Sequence, residues 1–110
     1  MTNFNTLKRL ELPKLRKAMK GLECTLNTPV CNYNSATVVG CHINTEGGKM
    51  GGKSDDTSMV AGCSDCHDYI DKRSNVLGQN RATIEELLFY TRRALTRTYR
   101  LLFDIGVIKV

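Results

Sequence analysis

Four cysteines arranged as two separated pairs constrain this chain more than any other feature. Cys24 and Cys31 flank six residues that include Pro29, and Cys63 and Cys66 form a CxxC about thirty positions later. A CxxC between a short strand and a helix lets both sulfurs face one ion at about 2.3 Å, and a second pair upstream completes a tetrahedral four-thiolate set. A redox CxxC of the thioredoxin kind calls for a βαβ context and no second pair. The six-residue gap of the first pair is wider than the usual two to four. A redox pair and unligated buried cysteines therefore stay open beside structural zinc.

Composition explains why such a chain needs a metal. With 110 residues, 41% hydrophobic and only 6% aromatic with no Trp, it has room for one domain and a thin core, which a bound ion would reinforce. No apolar run approaches the roughly 18 residues of a membrane span. The opening MTNFNTLKRLELPK interrupts its apolar positions with charge, unlike a signal peptide. A cytosolic location follows, and a reducing compartment favours thiolate ligation over disulfides. The fifth cysteine, Cys41, reads as an inert buried thiol or as a soft ligand.

The net charge of +5, from 16 basic against 11 acidic residues, favours an anionic partner such as DNA. Four bound thiolates remove four charges and the ion returns two, so an excess of roughly +3 survives.

Along the chain, PKLRKAMK at 13–20 predicts a short helix with Pro13 in its first turn and Gly21 after its end. The Cys24–Cys31 segment predicts a knuckle. Thr37, Val38 and Val39 predict a strand running on into Gly40-Cys41-His42-Ile43, with His42 near its end. Residues 44–58 read as a Gly-rich loop carrying Lys49 and Lys53, and Met59-Val60-Ala61 as a second strand. CSDCHDYIDKR predicts a helix of about two turns, broken over 74–78. Thr83 and Glu86 fit a capping box that opens a long helix to about Asp104. Ile84, Leu87, Leu88, Thr91, Leu95, Thr98, Leu102 and Phe103 form its expected core stripe, and Arg92, Arg93, Arg97 and Arg100 mostly lie off it. The expected architecture is α+β: a small zinc-held ββα element flanked by an N-terminal helix and a long C-terminal helix, whose uncovered apolar positions offer a homodimer surface. Residues 1–12 read as an N-terminal extension and 13–110 as a single domain.

A zinc ion closed by four thiolates has no open position, so it folds the domain and chemistry needs another site. The two histidines, His42 after a strand and His67 directly after the second CxxC, are the candidates. Each alone is more often a surface or satisfied core group. In order, however, Cys24, Cys31, His42, Asp56, Cys63, Cys66 and His67 resemble the HNH, or ββα-metal, nucleases in their treble-clef form. LRKAMKGLEC, the CHI around His42, CSDCHDYIDKR and GVIKV resemble more narrowly the small YbcO-like nucleases of lambdoid prophages, over about residues 13–110.

The resemblance implies metal-dependent phosphodiester hydrolysis in the cytoplasm of a phage or prophage host. His42 would activate water, and His67 would hold a catalytic divalent cation such as Mg²⁺ or Mn²⁺. The middle HNH position is usually Asn, and this loop offers Asp55 or Asp56, of which Asp56 is taken as the orienting group. Cys41 stands where better-known members carry an acidic or histidine ligand, and it suits Mg²⁺ poorly. Asp68 and Asp71 are further candidate ligands, with helix capping and pairing to Arg73 as the plainer roles. Lys49, Lys53, Lys72, Arg73, Arg93 and Arg97 would meet DNA phosphates, although basic residues on a helix are usually a solvated face. Two other functions remain in play: a non-catalytic treble-clef module binding DNA or a recombination protein, and a redox protein using Cys63 and Cys66.

Overall fold

In a computed structural model, residues 8–43, 55–71 and 83–110 are described. Their order is helix α1 (Pro13–Met19), strand β1 (Val39–His42), strand β2 (Met59–Gly62), helix α2 (Ser64–Asp71) and helix α3 (Ile84–Asp104), with 3₁₀ turns at Ser35–Thr37 and Asp56–Ser58. Among the described residues this is a small α+β arrangement of three helices and one two-stranded sheet.

The first strand begins two residues later than Thr37. Asn34 is the reason: its side chain accepts from the Ala36 amide at 3.0 Å and its carbonyl accepts from Thr37 Oγ1 at 2.8 Å. This local bonding draws Ser35–Thr37 into a turn and outcompetes the β-branched preference of Thr37. β1 and β2 then pair antiparallel with Gly40 opposite Ala61, Cys41 opposite Val60 and His42 opposite Met59. Alternation along β1 turns Cys41 into the core and His42 to the other face, where its side chain is 31% exposed.

The core comprises Met19, Leu26, Val38, Cys41, Ile43, Met59, Val60, Ala61, Cys63, Cys66, Ile70, Ala94 and Leu102. Gly62 is required by that packing. A Cβ there would lie 2.6 Å from Leu26 Cδ1 and 3.0 Å from Cys41 Sγ.

On its outer edge β2 meets side chains. The Ala61 carbonyl accepts from Thr25 N at 2.8 Å and Thr25 Oγ1 at 2.6 Å, while the Ala61 amide donates to Thr98 Oγ1 at 3.1 Å. The two hydroxyls also bond each other at 3.0 Å. Buried backbone groups need partners, and these threonines supply them while pinning α3 to the sheet.

α3 opens on the expected capping box of Thr83 and Glu86. It ends in a Schellman motif, with Gly106 at φ +79°, its amide on Phe103 O at 3.0 Å and the Val107 amide on Leu102 O at 2.9 Å. The start of the GVIKV block is thus a helix stop. The buried stripe runs through Ala94, Thr98 and Leu102. Thr98 and Leu102 belong to the expected stripe, and Ala94 joins them on the buried face. Leu88 is 65% exposed, alongside exposed Phe89 and Tyr99. No helix among the described residues is long and apolar enough to cross a membrane.

Candidate metal centre and histidine sites

Cys24 and Cys31 bracket the knuckle, Cys63 follows β2 directly, and Cys66 lies in the first turn of α2. The sheet and helix thereby carry the second pair to the first. The four sulfurs lie within 4.8 Å of one another, and Cys31 and Cys63 Sγ are 3.9 Å apart. Sulfurs at about 2.3 Å from a tetrahedral zinc are about 3.8 Å apart, whereas a disulfide brings them to about 2.05 Å. Donor chemistry and spacing both fit a structural ion such as zinc.

The surroundings fit thiolates. Backbone amides donate from Cys63 to Cys24 Sγ at 3.3 Å, from Cys66 to Cys63 Sγ at 3.4 Å, and from Thr28 to Cys66 Sγ at 3.4 Å. The Asn27 side-chain amide donates to Cys31 Sγ at 3.6 Å. Thr28 Oγ1 lies 3.1 Å from Cys66 Sγ. A hydrogen bond from Cys66, helped by backbone amides and opposed by burial, draws the Cys24 thiol down to about 4. The reciprocal bond and burial push Cys66 up. Metal ligation requires deprotonated sulfur, and N–H donors aimed at sulfur favour that form.

Cys41 lies outside this cluster. It is fully buried, with Sγ 3.5 Å from Val39 O and 3.6 Å from Gly62 O, and burial pushes its thiol up to about 12. These are the surroundings of an unreactive core thiol.

His42 meets Asp56, with Nε2 2.7 Å from Oδ1. The encounter follows from register: His42 pairs with Met59, and the 3₁₀ turn immediately before Met59 folds Asp56 back beside it. Asp56 is fully buried. Its Oδ2 accepts from the Leu12 amide at 2.6 Å and Arg16 Nε at 2.9 Å, and Oδ1 also accepts from Arg16 Nη2 at 3.1 Å. Burial alone would raise its pKa, but the bonds from Arg16, Leu12 and His42 outweigh this and hold the carboxyl at about 2. An ionised carboxylate only accepts, so His42 donates through Nε2, and in the neutral ring the lone pair then lies on Nδ1.

The segment before α1 is tied to the same turn. Asp55 Oδ1 accepts from the Leu10 amide, and the Asp56 amide donates to Leu10 O at 2.9 Å. Arg16 was legible only as one basic residue of a short helix; a buried acid in need of a cation is the signal that would have singled it out.

His67 is paired differently, with Nε2 3.1 Å from Asp71 Oδ2 one turn along α2. Among the described residues the cysteines form the one cluster of three or more potential metal ligands. Lys49, Lys53, Lys72 and Arg73 lie outside the described residues. Arg93 and Arg97 face the knuckle: Arg93 Nη2 donates to Leu26 O at 2.9 Å and Asn27 O at 3.3 Å, and Arg97 Nη1 to Asn27 Oδ1 at 2.8 Å.

Residues 13–107 match the family model described as "Putative nuclease YbcO". The chain is 37% identical over 97 residues to proteins of that name from Escherichia coli K12 and Enterobacteria phage 82, covering 86% of this chain and 96% of each relative. It is also similar to a solved structure titled "Structure of a putative bacteriophage protein from Escherichia coli str. K-12 substr. MG1655", with a TM-score of 0.64 and 31% identity over 84% of this chain and 100% of that one. The chain belongs to the YbcO family.

Proposed function

We propose that this protein is a metal-dependent DNA endonuclease of phage or prophage origin, a zinc-anchored treble-clef ββα element of HNH type in which His42 is the general base. The observation that carries the reading is the His42–Asp56 pair at 2.7 Å, with Asp56 buried and held ionised. The nuclease name borne by its relatives and the net charge of +5 point the same way.

With Nε2–H committed to Asp56, Nδ1 takes a proton from water as the oxygen attacks phosphorus, the P–O bond to the leaving sugar oxygen breaks and that oxygen takes a proton from solvent, and Asp56 stabilises the imidazolium that forms. Arg16 and the Leu12 amide hold Asp56, so the ring is oriented before substrate arrives. His67 and Asp71 would supply two donors to a divalent cation, with water and phosphate oxygens completing the set that a hard ion prefers. That ion would neutralise charge building on the phosphate. The zinc held by Cys24, Cys31, Cys63 and Cys66 would keep knuckle, sheet and α2 together and take no part in hydrolysis. The protein would act in the host-cell cytoplasm as one domain, with the segment from Leu10 bonded onto it.

The test is DNA cleavage by zinc-loaded protein in Mg²⁺ or Mn²⁺, wild type against His42→Ala. Loss of a general base costs about 10²–10⁴-fold in rate, while zinc content and DNA binding should be retained. Absence of wild-type cleavage with Mg²⁺, Mn²⁺, Co²⁺ or Ni²⁺ would favour the non-catalytic binding module. Full activity in His42→Ala would remove His42 from the chemistry.

A further inference from the structure

Two arginines of α3 reach across to the knuckle, Arg93 half-buried and Arg97 exposed. Asn27 sits between Cys24 and Cys31 at φ +43°, a left-handed conformation that Asn tolerates better than most side chains. Its side-chain amide is bonded at both ends: Oδ1 accepts from Arg97 Nη1 at 2.8 Å, and Nδ2 donates to Cys31 Sγ at 3.6 Å. Arg97 can only donate, so it dictates which end of the amide faces the sulfur. One turn earlier, Arg93 Nη2 binds the carbonyls of Leu26 and Asn27. Its guanidinium carbon lies 5.0 Å from the Phe89 ring centre and 5.4 Å from that of Tyr90.

We propose that Asn27, Arg97 and Arg93 form the outer sphere of the four-cysteine metal site, with Arg97 orienting the Asn27 amide toward Cys31 and Arg93 clamping the backbone beneath it. The proposal rests on the zinc reading of the cysteine cluster. Four thiolates around a dication leave two negative charges, which N–H donors and nearby cations offset. The Cys24, Cys63 and Cys66 sulfurs each have a backbone amide donor, and Cys31 has the Asn27 side chain beside the Tyr33 backbone. The Asn27 donor differs from the backbone donors in that a side chain of α3, Arg97, sets its orientation. α3 thus supports the metal site from a different stretch of chain, and its two arginines are positioning residues there.

The experiment uses zinc-loaded full-length protein. First, metal analysis of the wild type establishes zinc. Next, the rate of zinc transfer to a chromogenic chelator at neutral pH is compared among wild type, Arg97→Met, Arg97→Lys and Asn27→Asp, with circular dichroism reporting the fold. Asn27→Asp separates the proposal from a merely structural role. The new carboxylate keeps and strengthens the bond to Arg97 but cannot donate to Cys31, so a structural role predicts no change or a gain.

The proposal predicts zinc loss about 10–100-fold faster in Asn27→Asp and Arg97→Met, the range that outer-sphere changes produce. Arg97→Lys should restore most of the retention. Alkylation of the zinc-loaded Asn27→Asp protein should fall first on Cys31, mapped by peptide mass. Transfer rates within about twofold of wild type in both variants would overturn the proposal while leaving the zinc reading intact. A wild type without metal would instead overturn the zinc reading, and the proposal with it, before any variant is compared.

Discussion

Asp56→Asn isolates the one group on which the N-terminal segment, α1 and His42 converge. The carboxylate takes four hydrogen bonds, two on each oxygen. An amide has one oxygen, so its NH₂ must face two donors: one from Arg16 and one from either His42 or Leu12. A lost charge-assisted bond at this buried site costs about 2 kcal/mol. The Arg16 side chain is 42% exposed, so water replaces its lost bond. The expected destabilisation is thus about 2 kcal/mol. With an unfolding entropy of about 2.1 cal/mol/K per residue over 110 residues, this lowers Tm by about 9 °C.

Thermal unfolding followed by circular dichroism at constant zinc measures it. Because the folded carboxyl sits at about 2, below its ordinary 3.8, its ionised form stabilises the fold above that ordinary value. The contribution fades as pH falls toward 2. The gap between wild type and variant should therefore shrink with acidification, and taking the difference cancels thiolate protonation common to both. A Tm change under about 4 °C, equivalent to about 1 kcal/mol, would refute the account of Asp56 as a hub.

The cysteines make a contrast that sequence position alone does not offer. Cys63→Ser should abolish stoichiometric zinc and most of the folded signal, while Cys41→Ser should keep the metal and cost only core packing; equal losses in metal analysis would mean the wrong four ligands. Thr98→Val keeps the shape of a buried residue but strips the Ala61 amide of its partner. It should cost about 1–3 kcal/mol in urea unfolding, and a neutral result would show that the sheet edge finds another partner.

Much of the architecture was legible because it is written in short-range chemistry. Pro13 and Gly21 bracket a helix, Thr83 and Glu86 cap the next long one, and Gly106 ends it, each through groups within a few residues. The first strand starts later than its β-branched run predicts because Asn34 bonds its own neighbours, a competition that propensity does not weigh. Leu88 is exposed and Ala94 buried, a distinction missing from periodicity, which marks an apolar stripe without saying which edge of it meets the sheet.

By itself, the sequence determined the kinds of atoms available: two cysteine pairs suited to a soft metal, two histidines, a basic excess, and helices with their caps. Only tertiary structure decided who meets whom. Strand register brings Asp56 to His42, and Arg16 and Leu12 arrive from 40 or more positions earlier to hold that carboxylate. Arg93 and Arg97, which read as phosphate contacts, turn to the knuckle across 66 to 70 positions. Local propensities act over a few residues, whereas a buried charge or an unpaired carbonyl must be satisfied by whatever group the folded chain delivers.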